Sequence, residues 1–529
     1  MSPAPVEEGP TDALTISGLL DRAARLWPDR DAYVEDDRRL TWSQLAEEVD
    51  RHARAFIAWG VQPGDRVSLW LDNSIPWVLV QLGVIRSGAV LVPVNTAFTV
   101  NEAAYVVGQS DSVLLVAGAR LRGRDLAAEA LQVLAHEGVS ARAVVTVGST
   151  AAGTVDLDEL LAAADTVDAE ASAARAAAVL PDETMMMLYT SGTTGFPKGV
   201  MHSHRVIGNM SDAADRLRLT ADDVTVMYLP LFHIFALAAT VTFMSRGASM
   251  VLQRVFDAGE SLDLVERERA TITYGVAPHY LDQIRHPSFG ERDLASLRLC
   301  VAPGSADLVR TVEEHMGPAI SVYGMTETTS MTSLGEVDDP LDVRAETVGR
   351  TLPRSTVKVV DEHGEEVAPG VVGHLLVKGP PVMQGYYRMP EATAEAVVDG
   401  WFRTGDAVSV DEAGYLRFAG RITELFKVGG ENVDPIEVES VLMRHPAVRF
   451  ASVQGVPDER LGDVGLAHVT VLDGHTLDVD DLRAFARERL APFKVPRHVV
   501  VADELPMTAS GKVRKFLLRK HFLADSAES

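Results

Sequence analysis

Residues Met185–Val200, MMMLYTSGTTGFPKGV, decide how this chain is read. An apolar run of strand character ends in a loop of threonine, serine and glycine; Lys198 follows, and a helix is expected near Ser203. Glycines let successive backbone N–H groups converge on an anion, hydroxyls add donors, and a lysine supplies charge without occupying the turn. The stretch reads as a phosphate-binding loop formed by Thr190, Ser191, Gly192, Thr193, Thr194, Gly195 and Lys198. It is not a Walker A loop, because Phe196 and Pro197 separate Gly195 from the lysine. The HRD and DFG segments of a protein kinase are also absent from the sequence.

Upstream of the loop, helical and strand-like patterns alternate. Leu40–Trp59 reads as a helix, with Ser43 followed by Glu47 and Glu48 as acidic capping of its start, and Arg66–Leu71 is an apolar run. Such alternation predicts an α/β fold with largely parallel sheets flanked by helices. Residues 161–178 are mostly alanine and read as a surface helix or tether. Downstream, Val226–Met244 is apolar enough to span a bilayer on length alone, but Pro230 and His233 near its start and the lack of a basic flank make it a buried helix.

Composition limits the partners. The 529 residues carry a net charge of −26, with 47% apolar and 23% charged residues, a globular average that excludes disorder for most of the chain. Phosphate-backbone affinity needs basic patches, so general binding to nucleic acid or to an anionic membrane is not expected. The single cysteine, Cys300, forms no intramolecular disulfide or thiolate zinc site. The acidic, proline-containing N-terminus lacks the order of a secretion signal, and a cytoplasmic location is expected. From Arg421 onward there are 15 basic and 17 acidic residues, so this part carries −2 and the preceding 420 residues carry −24. The shift, with the glycine-punctuated run GRITELFKVGGENVDPIEVE, predicts a body over residues 1–420 and a second unit over 421–529.

Three further clusters carry chemistry. In SVYGMTET, Ser321–Thr328, Tyr323 can stack on a planar base and Glu327 can hold Mg²⁺ on a phosphate. In WFRTGD, Trp401–Asp406, the carboxylate of Asp406 suits a ribose diol, and Arg421 follows fifteen residues later. In LPMTASGKVR, Leu505–Arg514, Lys512 sits in a turn rather than on an amphipathic face.

These four segments, in this order, resemble the adenylate-forming superfamily of acyl-CoA synthetases, luciferases and adenylation domains, over nearly the whole chain from Leu40 to Lys515. The resemblance implies a large multi-subdomain N-terminal body and a small, mobile α+β lid. It implies that the Thr190–Lys198 loop wraps the β- and γ-phosphates of ATP and that Gly304, Ser305, Ala306 and Tyr323 hold adenine. Thr326 would meet the α-phosphate, Glu327 would hold Mg²⁺, and Asp406 and Arg421 would bind ribose. Lys512 would bridge the substrate carboxylate and the α-phosphate. After lid rotation, Lys427, Gly429 and Gly430 would meet the pantetheine arm of CoA. His233 and Phe235 in PLFHIFALAA, with Val276, Pro278, Gly324, Met325 and Met331, would form the acid pocket. No acid lies within Ile234–Ala239, which favours a hydrophobic or aryl acid over an amino acid.

Two positions depart from the pattern. Thr423 stands where Asp or Lys is usual at the hinge, and Asp307 stands where proline is common. The expected reaction is ATP- and Mg²⁺-dependent formation of an acyl-adenylate, then of an acyl-CoA. The alternatives are transfer to an amine or to a carrier-protein thiol, and an inactive ATP-binding regulator, against which Glu327 and Lys512 both speak. The partner is a small carboxylic acid, and a homodimer is compatible with the resemblance.

Overall fold

The computed structural model describes residues 14–148, 151–190, 197–422, 424, 426–429, 431–458, 460–507 and 513–527. Two large sheets dominate the body. One runs from Ala319–Ile320 through Leu299–Val301, Ile272–Tyr274, Val224–Met227 and Ser249–Leu252 to Asp31–Glu35, all parallel, and closes with the antiparallel edge strand Arg38–Thr41. The other contains the parallel strands Val90–Pro93, Arg66–Trp70, Ser112–Gly118 and Val144–Val147. Short apolar strands alternate with helices, and the strands are buried on both faces, as parallel sheets require. The α/β expectation holds. A third sheet, Thr356–Val360, Gly373–Lys378, Trp401–Val410 and Leu416–Arg421, is antiparallel.

Two local expectations are corrected. The helix Trp42–Ala58 is capped by Thr41 rather than by Ser43: Thr41 Oγ1 accepts from Gln44 N–H at 3.3 Å, and Gln44 Oε1 accepts from Thr41 N–H at 3.0 Å. Val226–Met244 is not one helix. Strand Val224–Met227 ends there, Pro230 lies in the intervening loop, and helix Ile234–Met244 begins at its cap His233. Every residue of that helix is buried, which explains its membrane-like composition; no helix among the described residues is long and apolar enough to cross a membrane. The helix expected near Ser203 starts at Val206, and Lys198–Ser203 before it is a strand antiparallel to Thr184–Thr190. The alanine-rich stretch forms the helix Ala169–Ala178, in which only Ser172 and Ala176 are buried.

Past Arg421 the chain builds a separate sheet. Phe426–Val428 pairs with Glu431–Val433 and with Gly462–Val471, which also pairs antiparallel with Val448–Asp458 and parallel with His498–Val501. Helices Pro435–Met443 and Val479–Arg487 cover it, burying Val438, Leu442 and Leu482 with Phe426, Val433 and Val453. The body strand Leu416–Arg421 ends one residue beyond the expected 420/421 boundary.

Candidate active site

The neck of the loop expected to bind phosphate is a β-hairpin in which Thr190 stands opposite Lys198. A side chain at Gly199 would meet Met187 Sδ at 2.9 Å and the Tyr189 ring at 3.2 Å, so the two strands pack closely there. Tyr105, on helix Val100–Gln109, donates its hydroxyl to Pro197 O at 3.1 Å. Of the loop residues expected to hold phosphate, Thr190 and Lys198 are described; Ser191, Gly192, Thr193, Thr194 and Gly195 lie outside the described residues.

The Thr326–Glu327 turn faces this hairpin and is fixed from several sides. Tyr386 donates its hydroxyl to Glu327 Oε1 at 3.0 Å, Met383 N–H donates to Glu327 O at 2.8 Å, and His202 Nε2–H donates to Thr326 O at 2.7 Å. After Thr328, the residues Thr329 and Ser330 have φ of +56° and +66°, a left-handed conformation that costs about 1–2 kcal/mol for a non-glycine residue. The surrounding bonds hold that strain in place. The Lys198 ammonium lies 4.8 Å from the centre of the Tyr386 ring, so this one tyrosine meets both the Lys198 cation, through its ring, and the buried Glu327 carboxylate, through its hydroxyl. Burial pushes the His202 ring down to about 4, which leaves it neutral at physiological pH.

The pair expected on the ribose side is set by strand register. Asp406 and Arg421 are directly opposed on adjacent strands; Asp406 Oδ1 lies 2.9 Å from Arg421 Nε, and Oδ2 accepts the Tyr323 hydroxyl at 2.6 Å. Tyr323 and Asp406 are both buried, and the Tyr323 ring lies 5.9 Å from Phe418. Burial, then the neighbouring Asp406 charge, raises the Tyr323 hydroxyl well above its ordinary range, so it remains a donor.

Thr190, Lys198, His233, Thr326, Glu327 and Arg421 line one cavity of about 320 Å³, together with Gly324 and Met325. His233 Nδ1 accepts from Phe235 N–H at 3.2 Å, which in the neutral ring leaves the proton on Nε2. Four of the expected acid-pocket residues are not among the described residues that line this cavity. Phe235 is buried with its ring 5.5 Å from Tyr274, Met331 is fully buried in the core, and Val276 and Pro278 start helix Ala277–Arg285. The described wall of the cavity contains Ile234 and Phe402 in their place. Gly304, Ser305 and Ala306 line a second cleft, of about 610 Å³, whose other side is helix Pro435–Met443. Ser305 caps helix Ala306–His315, and Asp307 in its first turn lies 3.2 Å from Arg444 of the C-terminal unit.

Lys427 is exposed on strand Phe426–Val428, outside the described wall of the first cavity, and Gly429 turns the chain with φ of +61°. Lys512, Gly430 and Thr423 lie outside the described residues. On either side of Lys512, Met507 and Val513 form an antiparallel bridge, and Arg514 lies 3.8 Å from Glu102 on the helix that carries Tyr105. Glu327 fits a magnesium ion that takes most of its ligands from water and phosphate, since it is a single carboxylate at a cavity wall; no cluster of three metal-ligating side chains occurs among the described residues. Tyr386 and His202 were missed by sequence reasoning. The Gly-Tyr-Tyr at 385–387 is a weak signal, and nothing local joins it to Glu327, 59 residues away.

Comparison with known proteins agrees with this geometry. Residues 20–387 match the family described as AMP-binding enzyme, and residues 437–512 match the AMP-binding enzyme C-terminal domain. A propanoyl:CoA ligase of Rhodococcus jostii, whose acyl group carries a methyl-dioxo-octahydroindenyl ring, is 37% identical over 96% of this chain and 98% of its own. The mitochondrial medium-chain acyl-CoA ligase ACSF2 of Mus musculus is 32% identical over 97% and 89%. Among solved structures, the anthranilate CoA ligase AuaEII in complex with anthranoyl-AMP superposes with a TM-score of 0.86 at 26% identity, over 96% of this chain and 97% of that one. The chain belongs to the AMP-binding enzyme family, within the adenylate-forming superfamily that its four motifs resemble.

Proposed function

We propose that this protein activates a hydrophobic or aryl carboxylic acid with ATP, forming acyl-AMP and releasing pyrophosphate, and then transfers the acyl group to CoA. The observation that carries the reading is the 320 Å³ cavity, where Thr190 and Lys198, Thr326 and Glu327, His233 and Arg421 converge from four separate segments. A carboxylate attacking an anionic phosphorus meets charge repulsion, and cations fixed where charge builds lower that barrier. In this proposal Lys198 and Thr190, with Ser191–Gly195, hold the β- and γ-phosphates. Asp406 and Arg421 accept the ribose, and Tyr323 with Gly304–Ala306 holds the base. Thr326 orients the α-phosphate, and Lys512 stabilises the charge as the carboxylate attacks. Glu327 would hold Mg²⁺, which when bound neutralises phosphate charge.

His233 and Met325 face the acid, with Ile234 and Phe402 as the apolar wall beside them. For the second step, the C-terminal unit beyond Arg421 acts as a lid that withdraws Lys512 and presents Lys427 and Gly429–Gly430 to the thiol. A cytoplasmic location belongs to the same proposal; it is supported by the single cysteine, whose thiol burial raises to about 12.

The test is a pair of variants and two half-reactions. Lys512→Ala should slow carboxylate-dependent exchange of pyrophosphate into ATP by at least ~10²–10³, the effect of losing one preorganised charge-stabilising group. Lys427→Ala should leave exchange intact and slow thioester formation. Equal losses in both half-reactions from both variants would overturn the division of labour, and adenylate accumulating in the wild type without consumption of CoA would direct the acyl group to an amine or a carrier thiol.

A further inference from the structure

Both stems of the loop proposed to hold the β- and γ-phosphates are tied to one helix that none of the four motifs includes. Tyr189 precedes Thr190 on the strand entering the loop, and Pro197 precedes Lys198 on the strand leaving it. Helix Val100–Gln109 reaches both. Tyr105 donates its hydroxyl to Pro197 O at 3.1 Å, and Gln109 Oε1 accepts the Tyr189 hydroxyl. The Tyr105 and Tyr189 rings meet edge to face, with centres 6.5 Å apart and planes at 85°. The Gln109 amide also donates through Nε2 to Tyr387 O at 3.0 Å, and Tyr387 N–H donates to Gly199 O at 2.8 Å. The contacts therefore close on the outgoing strand as well.

Tyr105 and Gln109 are four residues apart, so they share one face of the helix. On the far side, Ala103 and Val107 are buried in an apolar cluster with Trp70, Val92 and Leu115. The helix is thus anchored to the body independently of the loop. What it fixes follows from peptide geometry. The Pro197 carbonyl and the Lys198 N–H belong to one planar unit, so a bond to that oxygen sets the plane from which the Lys198 side chain departs. Thr190 stands opposite Lys198, one residue past the held Tyr189. Glycine gives a loop conformational freedom, which costs entropy when a ligand orders it. Stems held in advance reduce that cost.

We propose that Tyr105 and Gln109 are positioning residues for this loop, holding its two stems so that Thr190 and Lys198 meet the β- and γ-phosphates of ATP without prior reordering. The proposal rests on the adenylation reading above and extends it to a helix outside the motifs. Its signature is selectivity for the phosphates: ATP and pyrophosphate use the loop, whereas AMP, the acid and CoA do not.

The experiment measures carboxylate-dependent pyrophosphate exchange with a hydrophobic or aryl acid in the wild type, Tyr105→Phe and Gln109→Met. Tyr105→Phe keeps the ring and removes only the hydroxyl, and Gln109→Met keeps the length of the side chain and removes its amide. Loss of one neutral hydrogen bond predicts a rise of roughly threefold to tenfold in KM for ATP and for pyrophosphate in Tyr105→Phe. Gln109→Met should raise both constants by at least as much, because it loses two bonds. Inhibition by AMP, KM for the acid and the rate of thioester formation from supplied acyl-adenylate and CoA should stay within about twofold in both variants. An unchanged KM for ATP and for pyrophosphate in both variants overturns the proposal. Equal losses for AMP and for the thioester step also overturn it, since they mark a general loss of structure, which a lowered thermal midpoint would accompany. A wild type that shows no acid-dependent exchange defeats the adenylation reading itself, an outcome separate from any difference between variants.

Discussion

Replacing Asp406 by asparagine removes one buried charge at the point where three parts of the proposed nucleotide site meet. The carboxylate is 2% exposed, accepts the Tyr323 hydroxyl at 2.6 Å and lies 2.9 Å from Arg421 Nε. Asparagine keeps one acceptor for Tyr323 but turns an amide N–H₂ toward a guanidinium N–H, donor against donor. A hydrogen bond to a charged group contributes about 1.5–3 kcal/mol. The Arg421 side chain is 39% exposed, so solvent screening reduces the lost stability to about 1–2 kcal/mol. The binding effect is separate: a ribose diol donating to a neutral amide instead of a carboxylate loses a similar energy, or roughly 10- to 100-fold in KM for ATP. Pyrophosphate exchange over an ATP titration reads the second quantity, and thermal unfolding without nucleotide reads the first. A stability loss of the expected size with KM for ATP within twofold of wild type would refute the nucleotide role and leave Asp406 a structural tie between Arg421 and Tyr323.

Glu327→Gln should reduce pyrophosphate exchange by roughly 10² and raise the Mg²⁺ concentration needed for half-maximal rate; an unaltered Mg²⁺ dependence would remove Glu327 from the metal site. His202 and His204 are both held down to about 4 by burial, below the ordinary value of 6.5. Between those values the unfolded chain binds more protons than the folded one, so stability falls as pH drops from about 6.5 toward 4, by about 2 kcal/mol per histidine at pH 5. Urea midpoints at pH 7 and pH 5 check this, and His202→Gln should remove its share of the difference. Asp307→Ala breaks an exposed ion pair to Arg444, so it should change stability by less than about 1 kcal/mol. It should change the ratio of adenylation to thioester rates, because the pair joins body to lid; an unchanged ratio would make Asp307 only a first-turn acid of its helix.

The most legible parts of the site are those built from near neighbours in sequence. Thr190 and Lys198 close one hairpin, and Asp406 and Arg421 lie on adjacent strands joined by a short turn, so their pairing follows from strand register. The six residues of strand Lys198–Ser203 carry too little alternation to declare themselves a strand, and only pairing with Thr184–Thr190 decides the matter. Tyr386 reaches Glu327, and His202 reaches Thr326 across 124 residues, by tertiary packing that no local pattern encodes. The acid pocket is hard to read from sequence for a different reason. Helix Ile234–Met244 is buried all round, so its composition gives no face to choose; Phe235 packs into the core while Ile234 meets the cavity.

Carboxylate-dependent exchange of labelled pyrophosphate into ATP, measured across a panel of hydrophobic and aryl acids and followed by addition of CoA, tests the central claim most directly. Exchange that requires an acid from this panel, with acyl-CoA and AMP formed in equal amounts once CoA is present, is the predicted result. No exchange with any acid, or ATP cleaved to ADP and phosphate, would contradict the account.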